Sequence, residues 1–221
     1  MAAASAAAPS SPAFAMCDPQ GIPALATATR AFWETSFAEP EYNTLKEILK
    51  EMKKPIPEYV SVLPTLKKID AFVKVPFTVH ERGGGDQNTI TLTIKDLLAS
   101  MSAKHWHDGC AFHEEDLLSH LTIAMLHALC ALSDSDSKTV FHRAITALLH
   151  DIGKPTTVVR FKNGTVGYPS HALVGGIMVC RMWNDKFLPW FSAEEWSQMV
   201  DEITHHMCGA NYPAQEHTKE F

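Results

Sequence analysis

The sequence predicts a mainly α-helical protein: a helical bundle, a small α+β appendage ahead of it and a disordered N-terminal tail. Three observations predict this. From residue 114 onward, apolar residues recur at helical spacing in segments separated by short polar breaks. Two β-prone runs flank the glycine-rich stretch Gly83-Gly84-Gly85-Asp86 in the first half. The first residues are rich in Ala, Ser and Pro, with one charge, Asp18.

The chain divides on composition into a tail (1–23), an appendage (24–110) and a helical domain (111–221). The tail cannot bury enough surface to fold. It is poor in acids, as organellar transit peptides are, but lacks their Arg residues, so a plain tail is the expectation. In the appendage, Leu45, Ile48, Leu49 and Met52 mark an amphipathic helix over 41–54, ended by Lys53-Lys54-Pro55-Ile56-Pro57. Residues 58–75 carry no clear period. Residues 75–79 and 89–94 read as two strands. The glycines between them lack the Gly-Lys-Ser/Thr of a phosphate-binding loop, so they read as a flexible hairpin.

In the helical domain the expected helices are 114–132, 138–150, 170–187 and 193–207. Residues 134–138 form a polar break. Between the second and third helices, Lys162-Asn163-Gly164 joins two β-prone runs, a hairpin signal.

Composition narrows the function. The 221 residues are 46% hydrophobic and 20% charged, enough for one sizeable core. A net charge of -6 gives no electrostatic case for broad nucleic-acid binding. The apolar run over 121–132 is too short to span a membrane and is interrupted by His127. Cys17, Cys110, Cys130, Cys180 and Cys208 form no CxxC pair. They read as reduced thiols of an intracellular, cytoplasmic protein, mostly in the core, with organellar targeting by residues 1–23 the alternative.

Of twelve His, eleven lie from His105 to His217. A core needs few imidazoles, so this concentration points to ligands. The centre of the pattern is Ala147-Leu148-Leu149-His150-Asp151-Ile152-Gly153-Lys154-Pro155. An apolar helix ends in adjacent His and Asp, and Gly and Pro stop it. His120 lies one helix earlier. His171 opens the next helix, and His205-His206 closes the last. Four successive helices thus each offer a ligand, and a bundle core is where such side chains converge. His205 and His206 stand about 100° apart on a helix, so only one can face the centre. Imidazole and carboxylate donors suit a divalent metal, one ion or two, with Mn, Fe, Zn, Ni, Co and Mg all open.

Other residues have simpler readings. His113 and His127 lie seven positions either side of His120 and read as packing or surface residues, with pocket lining the alternative. His105, Trp106 and His107 read as a loop cluster, or else a lid. Arg143 and Arg181 fit solvated helix faces as well as phosphate contacts. Trp183, Trp190 and Trp196 read as packing aromatics.

The order His, His-Asp, His, His, with the middle pair in His-Asp-Ile-Gly-Lys-Pro, resembles the HD-domain metal-dependent phosphohydrolases. The local likeness is greatest to the HD domain attached to some bacterial tRNA nucleotidyltransferases. There the same run is followed by a short hairpin, an aromatic, a His and a Gly-rich helix, matched here by Tyr168, His171, Gly175 and Gly176. The resemblance covers residues 114–207. No Gly-Ser…Asp-x-Asp polymerase motif is present, so nucleotidyl transfer is not implied.

The resemblance implies an HD-type bundle in which His120, His150 and Asp151 hold a first metal. Asp151 then bridges to a second held by His171 and His206. His206 is preferred to His205 because Ile203 fits the family's apolar position three before the ligand. Lys154 matches a lysine that approaches substrate phosphate. The implied reaction is attack of metal-activated hydroxide on a nucleotide or other phosphate ester, with Asp151 and Lys154 in the catalytic roles and an RNA 3′ end among the substrates. Alternatives are a non-catalytic nucleotide-binding or regulatory module and a di-iron oxygenase. The family pattern also has an Asp on a later helix. Residues 207–221 contain none, and Glu216 and Glu220 are weak substitutes, so the expectation is a fragment, an incomplete site or another group in that place.

Overall fold

The computed structural model describes residues 21–54, 56–80, 89–102, 115–131, 135–162, 164 and 166–207. Outside them lie most of the expected tail, the glycine run, the 105–107 cluster, His113, Cys17, Cys110, Cys208, Glu216 and Glu220. The described chain is mainly helical, with two small sheets.

Helix α1 (Gly21–Glu34) begins within the stretch expected to be tail, because Leu25, Ala28 and Phe32 form a buried stripe that composition alone conceals. Helix α2 (Glu39–Glu51) starts with Pro40 in its first turn and buries Tyr42, Leu45 and Leu49. Residues 58–75, without clear period in sequence, form α3 (Tyr59–Val73), which buries Val62, Leu66, Ile69, Phe72 and Val73. Strands β1 (Pro76–His80) and β2 (Thr89–Thr93) pair antiparallel, with Phe77 opposite Leu92, and lead into α4 (Ile94–Ser102).

Helix α5 (Leu117–Ala131) is apolar on most of its circumference and sits against α6 (Ser137–Leu149), the most extensive helix pairing. Asp136 caps α6, accepting from the amides of Lys138 and Thr139. A short α7 (Lys154–Thr157) and the antiparallel pair β3 (Val159–Arg160) and β4 (Val166–Gly167) follow. The expected helix 170–187 is shorter: α8 (His171–Met182) stops where Trp183 turns extended, and a 3-10 turn (Asp185–Phe187) takes over, its start capped by Asn184. Helix α9 (Ala193–His205) opens with a capping box between Ser192 and Glu195.

One buried cluster runs from Leu25 in α1 to Ile203 in α9. Residues of the expected appendage thus share a core with the later helices. Phe72 of α3 packs edge-on against Phe141 and Phe191, and the Trp33 indole donates to Thr122 at 2.8 Å. Trp196 is buried, while Trp183 and Trp190 pack against the cluster. The two described cysteines, Cys130 and Cys180, are exposed free thiols rather than core residues. They lie on the outer faces of α5 and α8, a feature of helix phase that cysteine counting does not reveal.

Two close backbone approaches hold α8 in place. At Gly153 an added Cβ would lie 2.2 Å from the His171 carbonyl oxygen and 2.6 Å from the Gly175 nitrogen. At Gly176 it would lie 2.0 Å from the Thr204 hydroxyl. Glycine therefore lets the His-Asp turn and α9 both close onto α8.

Candidate metal centre

The sequence around each histidine explains how its ring is aimed. His150 follows the end of α6, where the last carbonyls have no helical partner. Its Nδ1 donates to the Ala147 carbonyl at 2.7 Å. His206 repeats the device after α9, donating to the Ile203 carbonyl at 2.7 Å. His171, at the start of α8, donates to the Tyr168 carbonyl at 2.7 Å. His120 lies inside α5, and its Nδ1 meets the Glu115 carboxylate at 3.1 Å. With every Nδ1 so engaged, each neutral ring presents its Nε2 lone pair.

These four Nε2 atoms converge on one carboxylate. Asp151 is 3% exposed. Its Oδ2 lies 3.2 Å from His120 Nε2 and 3.1 Å from His150 Nε2. Its Oδ1 lies 3.1 Å from His171 Nε2 and 3.4 Å from His206 Nε2. Two groups with metal-ligand spacing result, His120/His150/Asp151 and Asp151/His171/His206, joined through the two oxygens of Asp151. His205 is exposed and turns to Asp201 instead. His127 is exposed on α5.

The donor chemistry fits a cation. His120 Nε2 and His150 Nε2 are 3.2 Å apart. With both Nδ1 atoms donating elsewhere, two neutral rings at that distance present lone pair to lone pair. Asp151 Oδ1 and His171 Nε2 are buried without a hydrogen bond, although they face each other. Buried acceptors without donors are costly, and a shared cation satisfies them. Buried His/Asp groups of this kind can bind a metal ion.

The electrostatics agree with that reading. Burial alone would raise the Asp151 pKa, but the four imidazoles crowded around its two oxygens drive it far below the usual carboxylate range, so the carboxylate stays ionised. Burial would lower the pKa of His120, yet Asp151 and Glu115 together raise it. Lys154 is 4% exposed, and its Nζ lies 2.7 Å from Asp151 Oδ2 and 5.3 Å from the centre of the Tyr168 ring. The sequence-predicted Asp151, Lys154, His120, His150, His171 and His206 are thus all brought together. Arg143 is elsewhere, paired with Glu202 at 2.6 Å between α6 and α9, and Arg181 is exposed at the end of α8.

Sequence reasoning missed two residues. Glu115 was read only as part of a helix start, although the spacing Glu115-Asp116…His120 could have signalled a carboxylate near a ligand. Gly153 was read as a helix stop, whereas its missing Cβ is what admits α8. Among the described residues no helix is long and apolar enough to cross a membrane. Comparison with protein-family models, curated proteins and solved structures finds no match to this chain.

Proposed function

We propose that the cluster is a metal centre of the HD type and that the protein is a metal-dependent phosphohydrolase acting on a nucleotide or another phosphate ester. The observation that carries this is the convergence of four imidazole Nε2 atoms on both oxygens of the buried Asp151. His120 and His150 would hold one ion with Oδ2, and His171 and His206 another with Oδ1. A bound divalent ion supplies Lewis acidity, polarising a phosphoryl oxygen and acidifying a water.

The chain's own residues do the rest. Asp151 joins the two halves and sets their separation. The backbone carbonyls of Ala147, Tyr168 and Ile203 hold three rings in the ligating tautomer. The Lys154 ammonium, beside Asp151, supplies fixed positive charge where a phosphate would gain negative charge. The RNA 3′ end, as a phosphate ester, belongs to the same substrate class.

A second reading is a nucleotide-binding or regulatory module without turnover. Lys154 favours it, because its ammonium already sits on the oxygen that the His120/His150 half would use. Among the described residues, Asp151 is also the only carboxylate in either ligand group. A di-iron oxygenase is a third use of the same ligand order.

Metal content of the purified protein, followed by phosphate release from nucleoside phosphates and 2′,3′-cyclic nucleotides, separates these readings. Hydrolysis that needs metal, runs without oxygen and disappears in the His150→Ala/Asp151→Ala variant supports the phosphohydrolase. Metal or nucleotide binding without turnover supports the module. Oxygen consumption supports the oxygenase. No metal taken up on titration overturns the metal centre.

A further inference from the structure

Three of the four ligand imidazoles are aimed by a backbone carbonyl three residues upstream. His150 and His206 follow helix C-termini, where carbonyls are spare, and His171 opens α8 with its acceptor, the Tyr168 carbonyl, ahead of the helix. His120 is different. It lies within α5, whose carbonyls are committed to the helix, and its own amide bonds the Asp116 carbonyl at 3.0 Å. For this ring the acceptor is a side chain.

Glu115 is placed to be that acceptor. It stands just ahead of α5, and Asp116 fixes the turn between them by accepting from the Ser119 amide at 3.1 Å and from the Ser119 hydroxyl at 2.7 Å. Glu115 is 7% exposed, an unusual setting for a carboxylate, and its Oε1 lies 3.1 Å from His120 Nδ1. Lys54, just after α2, lies 4.0 Å from the same oxygen. The buried carboxylate therefore faces a cation on one side and the imidazole N–H on the other.

We infer that Glu115 is the positioning residue of the metal centre, holding His120 with its Nε2 lone pair toward Asp151 and strengthening it as a ligand. The inference rests on the metal-centre reading and adds to it. It makes the two halves unequal: only the His120/His150 half has a ring backed by a charged acceptor. It also ties that half, through Lys54, to the end of α2. Partners of this kind that accept from a ligating His typically change metal affinity by about 10–100-fold.

The test is a double-mutant cycle on Co2+ affinity in the full chain, using Glu115→Ala, His120→Ala and the double variant. Glu115→Ala is expected to weaken Co2+ binding by about 10–100-fold and to alter the visible cobalt spectrum. In the His120→Ala background the same change is expected to do nothing further. Glu115→Gln keeps an acceptor oxygen without the charge and is expected to recover part of the loss. Unchanged affinity in Glu115→Ala overturns the inference while leaving the metal centre standing. So does an equal loss with and without His120, since that is the signature of a general structural role. If the unmutated protein takes up no Co2+, the metal-centre reading itself falls and this inference falls with it.

Discussion

Replacing Gly153 with alanine is the sharpest test of how the candidate site is assembled. Nothing about the local backbone forbids it, because φ at Gly153 is -78°, ordinary for any residue. Backbone entropy would even favour alanine, by up to about 1 kcal/mol. The obstacle is space. The new Cβ would lie 2.2 Å from the His171 carbonyl oxygen and 2.6 Å from the Gly175 nitrogen, where ordinary contact begins at 3.4 Å. Both obstacles are backbone atoms, so no rotamer relieves them. The first turn of α8 must retreat by about 1 Å, and overpacking of this kind costs about 1–3 kcal/mol. For a chain of this size, each kcal/mol lowers Tm by about 2–4 °C. The same retreat carries His171 away from Asp151 Oδ1, now 3.1 Å from its Nε2. A misplacement of about 1 Å can cost on the order of 100-fold where geometry is critical. Gly175→Ala is the control, since its Cβ would meet only ordinary contacts at 3.4 to 3.6 Å. It should hold or slightly raise stability. Gly176→Ala should fall between, because the Thr204 side chain in its way can rotate at the loss of its 2.7 Å bond to the Val200 carbonyl. Urea unfolding and metal titration of the three variants give the order. Gly153→Ala with unchanged stability and metal uptake would refute the close-approach argument.

Asp151→Asn should destabilise the metal-free protein by about 3–5 kcal/mol, because it strips the buried Lys154 of its ion pair at 2.7 Å. Asp151→Asn combined with Lys154→Met should recover part of that loss in urea unfolding, and a double variant no better than the single one contradicts the pairing. Ser192→Ala should cost about 1 kcal/mol by breaking the capping box of α9, read as a lower Tm with the fold intact. Stability should also fall at high pH through Tyr42. Burial, with the nearby Glu58 charge, raises its pKa above the ordinary phenol value, and its hydroxyl donates to the Pro57 carbonyl at 2.6 Å. A raised folded pKa gives stability that is complete below the unfolded value of about 10 and lost as pH climbs beyond it. Unfolding midpoints at about pH 9 and pH 11 should therefore differ less in Tyr42→Phe than in the unmutated chain.

What the sequence discloses and what it hides follow from the range of the interaction. The helices of the second half were legible because their signals are local: apolar residues recur at helical spacing, and short polar breaks, Gly and Pro separate them. His150 and Asp151 stood out because adjacent His and Asp after an apolar helix is a local pattern too, whereas His120, His171 and His206 were named from their order along the chain and the family resemblance. The first half was less so. Helix α3 was not recognised, since its buried Val62, Leu66, Ile69 and Phe72 are interrupted by Pro64 and preceded by Val60, an apolar residue off the stripe that is 78% exposed. Helix α1 was hidden because a stretch rich in Ala and Thr acquires a buried stripe only once α2 and α5 are there to cover it.

The tertiary part of the site was not legible at all. Nothing near residue 153 states that its Cβ would collide with residue 171, eighteen positions on. Glu115 is signalled only by its spacing to His120, which does not show that its carboxylate meets the His120 ring. The source of each ring's acceptor is the link between fold and candidate chemistry. A histidine just past a helix C-terminus, as His150 and His206 are, obtains its orienting acceptor from the helix's own unsatisfied carbonyls. His120, in the first turns of α5, is given one by the Glu115 side chain instead. The first solution serves His150 and His206, a carbonyl ahead of α8 serves His171, and a side chain serves His120, so the one imidazole with a dedicated side-chain partner is the one whose partner sequence inspection overlooks.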